Sequence, residues 1–384
     1  MSTESSGATL PAWATWPEPN EQGAYTVGIE EEVMLLDQLT WALASRIDSV
    51  LPRLPHGRTT SFTAETHGSA LEIQTGVHGA IGSAVEELGA LRRELDETLK
   101  ALSMRAASAG THPFAVWQEI VISAGERYQF VYGSMRELAR REPTFGLHVH
   151  VGVPDPEQAI HAANRLRTEL PLLLALSVNS PFWQGRDTGL GSARTPLFQA
   201  FPRVGIPRAF HSYEEYVESV DVLIRCGAVP EPTFLWWDVR PQPRFGTIEV
   251  RIMDAQTTLA DTAGLAALVQ SIVRLEVEEG TATYDDGIPP EVLNENRFLA
   301  ARDGMDAELI AHDLNTRVPA RELLSDLLVL CRPHAEELGC ASELDTVSRL
   351  AERTGARRQL DLSRSLGSLP RVVAVLADDF LAGA

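Results

Sequence analysis

Four stretches of the chain alternate apolar and polar residues with a period of two, as strands with one buried face do. Thr26 to Leu36 sets Val27, Ile29, Val33 and Leu35 against Gly28, Glu30, Glu32 and Met34, with Glu31 among the apolar positions. Phe145 to Val153 sets Leu147, Val149, Val151 and Val153 against Gly146, His148, His150 and Gly152. Thr247 to Met253 opposes Ile248, Val250 and Ile252 to Thr247, Glu249 and Arg251, and Leu71 to Val77 opposes Leu71, Ile73 and Thr75 to Glu72 and Gln74. An aromatic run from Phe234 to Val239 leads through Arg240 into an expected turn at Pro241 to Pro243.

Between these runs the apolar spacing lengthens to three and four residues, which predicts helices. Ser83 to Ala109 is the longest, with Ser83 as expected N-cap and Gly110 as stop, followed by Pro156 to Val178, Tyr213 to Cys226 and Thr258 to Glu279. After about Pro289 only helices are expected, near Glu291–Ala301, Ala320–Cys331, Glu343–Arg353 and Val372–Ala382. The pattern predicts an α+β fold, a mostly antiparallel sheet with helices on one face. It reads as one domain over 23–384 with a helical C-terminal third, after a flexible lead-in at 1–22. That lead-in has no basic residue and no apolar run, so it does not read as a secretory signal.

Composition narrows the chemistry. The chain has 384 residues and a net charge of −20, and of its 33 basic residues only Lys100 is lysine. A P-loop and a Schiff-base mechanism both need a placed lysine, and neither has a candidate. The acidic balance argues against a nucleic-acid partner. No apolar run approaches the roughly 20 residues of a membrane span. Cys226, Cys331 and Cys340 form no paired framework; we expect reduced, buried thiols and a cytoplasmic protein.

The polar faces of the four strands carry Glu30, Glu32, Glu72, His148, His150, Glu249 and Arg251. Carboxylates gathered on one face repel one another and call for a cation. An oxygen-rich set suits Mg²⁺, and the histidines among the glutamates widen tolerance to Mn²⁺. Arginine forks phosphates and carboxylates bidentately, so Arg251, two residues beyond Glu249, and Arg240 are candidate anion ligands. A metal-dependent hydrolase activating water with the same groups is the alternative chemistry, and a non-catalytic binding protein is a third reading.

Six motifs in fixed order give these residues a context: Gly28-Ile29-Glu30-Glu31-Glu32, Leu71-Glu72-Ile73-Gln74-Thr75, Gly146-Leu147-His148-Val149-His150-Val151-Gly152, Asn179-Ser180-Pro181-Phe182-Trp183, Asp187-Thr188-Gly189 and Gly246-Thr247-Ile248-Glu249-Val250-Arg251. With Asn296-Arg297 and Arg302-Asp303-Gly304, the chain resembles the carboxylate–amine ligases of the glutamate–cysteine ligase type 2 family from about Tyr25 to past Gly304. The resemblance implies a glutamine-synthetase-like fold whose curved sheet holds divalent metals and ATP on its concave face. It implies an ATP-dependent ligase that phosphorylates a carboxylate, as in glutamate, and joins it to an amine, as in cysteine, through an acyl phosphate. Carried over by residue, Glu30, Glu32, Glu72, Glu249 and His148 would be metal ligands, and His150 would hydrogen-bond substrate. Glu65 would make a further metal or substrate-amine contact. Arg251 would contact the ATP phosphates, with Glu249 beside it in catalysis, and Arg240 and Arg194 a substrate carboxylate. Small-molecule carboxylate and amine partners follow, with a homodimer one assembly compatible with the sequence.

Overall fold

A computed structural model describes residues 10–18, 23–55, 61–141, 143–280 and 288–383. Seven strands form one sheet: β1 (Val27–Asp37), β2 (Phe62–Ala64), β3 (Ala70–Gln74), β4 (Met104–Ala107), β5 (Gly146–Gly152), β6 (Val239–Gln242) and β7 (Thr247–Asp254). Their order is β6-β7-β5-β1-β3-β2, with β4 paired to the end of β1, and every pairing is antiparallel. The α+β class expected from the alternation is the class observed.

The helices that matter to the site are α1 (Ile81–Lys100), α2 (Glu126–Met135), α3 (Pro156–Ser177), α4 (Tyr213–Arg225), α5 (Leu259–Glu278) and, near the C-terminus, α6 (Leu369–Asp379). Asp155, Ser212 and Thr258 cap α3, α4 and α5 by accepting a hydrogen bond from the backbone N–H three residues on, which satisfies one of the free donors at each helix start. The apolar face of the sheet, including Val27, Ile29, Val33, Leu147, Val149, Val151, Ile248 and Val250, packs on Leu88, Leu91 and Leu95 of α1 and on the nearly continuous apolar run of α5. Each buried aliphatic side chain contributes about 1.5–3 kcal/mol, so this layer fixes which face of each strand is left for chemistry. Helix α6 lies on the other face at one end, where Val372, Val373 and Leu376 cluster with Met34, Leu36 and Ala107.

Several boundaries differ from the periodic reading. The first long helix begins at Ile81 with Ala80, not Ser83, at its N-cap, and stops at Lys100. The stretch expected to prolong it is β4, entered through Ser103 at a φ of 56°, and Met104 and Ala106 join the core. Pro241 and Gln242 lie in β6 rather than in a turn; β6 is an edge strand, where proline's missing N–H is tolerated, and the turn falls at 243–246. A two-stranded ribbon, Glu308–Ile310 with Arg317–Pro319, interrupts the helical C-terminal third, and Gly355–Leu366 is a helix the periodicity did not flag. Cys331 and Cys340 are buried as expected, but Cys226 is exposed, because it caps the solvent end of α4. Within the stretch expected as a lead-in, Ala14 is buried and the Trp16 indole donates to the Val153 carbonyl at 2.9 Å; 1–9 and 19–22 lie outside the described residues.

Candidate active site

Cross-strand register assembles the polar face into three rows. One runs Arg240, Glu249, His150, Gly28 across β6, β7, β5 and β1. The second runs His148, Glu30, Gln74 across β5, β1 and β3, and the third Glu32, Glu72, Thr63 across β1, β3 and β2. Directly opposite residues in antiparallel strands bring their Cβ atoms to roughly 5 Å, so pairs as distant in sequence as Gly28 and His150 become neighbours. A bulge in β7 between Val250 and Met253 carries Arg251.

The side chains converge accordingly. His148 Nδ1 lies 3.3 Å from both Glu30 Oε2 and Arg251 Nη1, and its Nε2 is 3.9 Å from Glu32 Oε1. His150 Nε2 is 3.3 Å from Glu30 Oε1 and 3.8 Å from Glu249 Oε1, while its Nδ1 is 3.0 Å from the Thr247 hydroxyl. Both Nε2 atoms are buried without a hydrogen-bond partner. Two groups place their donor atoms within 4.8 Å of one another, Glu30 with His148 and Glu249, and Glu32 with Glu72 and His148. His148 is common to both.

Gly146 shows why this strand opens on glycine. A Cβ there would stand 2.5 Å from Arg194 Nη2 and 2.9 Å from His148 Nε2, and its N–H donates to Glu32 Oε2 at 2.5 Å.

Charge is unevenly balanced across the face. Burial pushes the Glu249 carboxyl up, but Arg240, Arg251 and His150 outweigh it and hold it well below the usual carboxylate range. Burial likewise pushes Glu30 up, and His150 and His148 bring it down below that range. Burial and then the charges of Glu30, Glu65 and Glu32 raise Glu72 well above it, and burial with Glu32 raises Glu65 to about 7. Burial and Arg251 lower His148, whereas Glu30 and Glu249 overcome burial and raise His150. The face is therefore short of cations at the Glu65–Glu72 end, as an oxygen-rich divalent-metal site is before its ion binds.

The arginines divide. Arg251 donates to Glu249 and leaves its buried Nε without a partner. Arg240 is spent on the protein: Nε donates to Glu249 Oε2 at 2.6 Å, and Nη1 donates to the carbonyls of Thr233 and Leu235. Arg194 donates from Nη1 to the Ile252 carbonyl at 3.0 Å and from Nη2 to the Arg251 carbonyl at 3.2 Å, so it braces the bulge of β7.

Two cavities meet at this face. One, of about 660 Å³, holds all ten residues proposed from the sequence: Glu30, Glu32, Glu65, Glu72, His148, His150, Arg194, Arg240, Glu249 and Arg251. The other, of about 710 Å³, is lined by Gly28, Thr75, Gly76, Val77, Val153, Pro154 and Thr247. Glu30, Gln74, His150, Arg244 and Phe245 border both. Sequence reasoning missed Arg127 and Tyr128 of α2, Gln242, which donates to Glu249 at 2.9 Å, and the turn residues Arg244 and Phe245. Only Gln242 had a usable signal, since it shares the face of Arg240 two residues away.

Comparison with known proteins gives a consistent picture. A family model described as glutamate–cysteine ligase family 2 matches residues 26–374. A Rubrobacter xylanophilus protein provisionally named glutamate–cysteine ligase 2-1 is 42% identical over 92% of this chain and 94% of its own length. A Sorangium cellulosum protein provisionally named glutamate–cysteine ligase 2 is 41% identical over 91% and 95%. Among solved structures, a Francisella tularensis glutamate–cysteine ligase in complex with AMP superposes with a TM-score of 0.70 at 13% identity, covering 96% of this chain and 90% of that one. A bifunctional glutathione synthetase from Pasteurella multocida gives 0.63 at 16% identity, over 94% and 52%. Among the described residues no helix is long and apolar enough to cross a membrane.

Proposed function

The chain belongs to glutamate–cysteine ligase family 2, and from that premise we propose that it is an ATP-dependent carboxylate–amine ligase. The observation that carries this reading is the pair of carboxylate–imidazole groups sharing His148 in one cavity, with Glu30 of the first group also bordering the other cavity. The cavity lined by Thr75–Val77, Val153 and Pro154 would suit a nucleobase and ribose, with the phosphates reaching the junction. The metal-facing cavity would take the carboxylate, such as the γ-carboxyl of glutamate, and the amine, such as that of cysteine.

The reaction would run in two steps. A carboxylate oxygen attacks the γ-phosphorus, and ADP leaves with the electrons of the broken P–O bond. The amine nitrogen then attacks the acyl carbon, the C–O bond to phosphate breaks, phosphate leaves, and the nitrogen gives up a proton. Glu30, Glu249 and His148, and Glu32, Glu72 and His148, fit Mg²⁺ or Mn²⁺ by donor chemistry and by the orphaned His148 Nε2. Such ions supply charge neutralisation on the transferring phosphoryl group. Arg251 offers its free Nε to the phosphates, while Arg240 fixes the Glu249 carboxylate in place. Glu65, raised to about 7, is matched to accept the amine's proton near neutral pH. Arg194 would hold the bulge that carries Arg251 through its bonds to the β7 backbone, and its buried Nε stays free for a substrate carboxylate.

Hydroxylamine tests this reading, because as a small nucleophile it traps an acyl phosphate as a hydroxamate. With ATP, Mg²⁺ and glutamate, or another carboxylate from a panel, hydroxamate and ADP should form together. ADP release that needs no carboxylate, or amide cleavage without ATP as expected of a hydrolase, would overturn the proposal.

A further inference from the structure

We infer that the amine taken by this site carries an aromatic or bulky apolar side chain; the inference rests on the ligase reading above and names its acceptor class. The metal-facing cavity has two unlike walls. The sheet supplies carboxylates and imidazoles, while Val131, Met135, Phe198, Phe201 and Trp236, all from outside that sheet, supply apolar lining. Val131 and Met135 belong to a small satellite core against which Phe201 and Trp236 pack, yet the rings of Phe198, Phe201 and Trp236 remain partly exposed. The rings form a continuous series, Phe198 to Phe201 at 5.3 Å between centroids and Phe201 to Trp236 at 6.3 Å.

An aromatic wall beside carboxylates could hold either an ammonium group or an apolar side chain. The arrangement points to the second. Guanidinium groups already lie over two of the rings, Arg194 over Phe198 at 5.6 Å and Arg203 over Trp236 at 5.4 Å, so an added cation would meet like charge. The ammonium end of the amine has better partners in Glu65 and its neighbours within the same cavity. What the wall has left to offer is apolar surface that stays wet until a ligand covers it. A small polar amine would leave it wet. An amine with a phenyl-sized group would bury it, and apolar pockets discriminate by about 10–200-fold for a single methylene.

The test compares 2-phenylethylamine, phenylalanine, cysteine and hydroxylamine as acceptors. The aromatic amines should exceed cysteine by about tenfold or more in kcat/KM. Phe201→Ala and Trp236→Ala should lower the ratio of aromatic-amine to hydroxylamine turnover, with Trp236→Phe restoring most of it. Preference for cysteine, or an unchanged ratio in Phe201→Ala, would overturn the inference. Failure to form hydroxamate with any carboxylate would sink the ligase reading instead. In that case calorimetric titration of 2-phenylethylamine into the wild-type protein and into Phe201→Ala still decides this one: no binding, or equal binding to both, refutes it.

Discussion

Glu31 and its neighbours Glu30 and Glu32 are the same residue type on one strand, yet they lie on opposite faces of the sheet and meet opposite conditions. On the helix side Glu31 is fully buried and closed off. Arg92 of α1 donates to it from Nε at 3.0 Å and from Nη2 at 2.6 Å, and Thr262 of α5 adds its hydroxyl at 2.8 Å. The remaining Arg92 donors go to the carbonyls of Gln256, Thr257 and Phe380, so all five guanidinium N–H groups are used. On the other side Glu30, Glu32, Glu65 and Glu72 line one cavity with His148 and His150, and the Nε2 of each of those imidazoles makes no hydrogen bond. A charge network that satisfies itself holds elements together. One left short of cations is prepared for something that arrives later.

The largest expected effect breaks the closed side. Arg92→Ala leaves Glu31 buried and unpaired, which should cost roughly 3–5 kcal/mol. Denaturant unfolding measures it, and a loss under about 1 kcal/mol would show that the pair is not structural. On the open side, Glu72→Gln removes one of several repelling carboxylates, so unfolding stability should hold or rise while metal-dependent turnover falls by about 100-fold or more. If Glu72→Gln destabilises the fold as Arg92→Ala does, the contrast between the faces fails.

The smallest effect, and the one that sharpens the comparison, is on pH. Glu65 is raised from an ordinary glutamate value to about 7 and Glu72 is raised as well, by burial and by neighbouring carboxylates. A carboxyl whose folded pKa lies above its unfolded one favours the fold below the unfolded value, and that benefit is lost as pH rises through the folded value. The contribution of these two carboxyls should therefore be lost from about pH 4.5 through 7, and added Mg²⁺ should restore more at about pH 8 than at about pH 5. A thermal-shift series with and without Mg²⁺ reads this directly; equal Mg²⁺ shifts at both ends would contradict it.

Much of this was legible in local sequence. Alternation named both faces of β1, β5 and β7 and selected Glu30, Glu32, His148, His150, Glu249 and Arg251, because the two-residue period of a strand requires no knowledge of its neighbours. Glu31 stood out as an exception, but its partner Arg92 sits 61 positions away on a helix, where nothing local sets it apart from 31 other arginines. The stretch around α2 carries too weak a periodicity to mark a helix, so Arg127 and Tyr128 went unseen. Strand β4 was hidden because its apolar residues continue the spacing of the helix before it.

The sequence by itself determined strands β1, β3, β5 and β7, their apolar faces, the residue types on the polar faces and the exclusion of lysine-based chemistry, since each follows from short-range periodicity or composition. Only the tertiary structure decided which carboxylates face which imidazoles, that Arg240 donates to Glu249 and Arg194 to the carbonyls of β7, and that aromatic residues from outside the sheet line the same cavity as the candidate metal ligands. Those outcomes depend on strand order, register and one bulge, which arise from contacts between residues far apart in the chain.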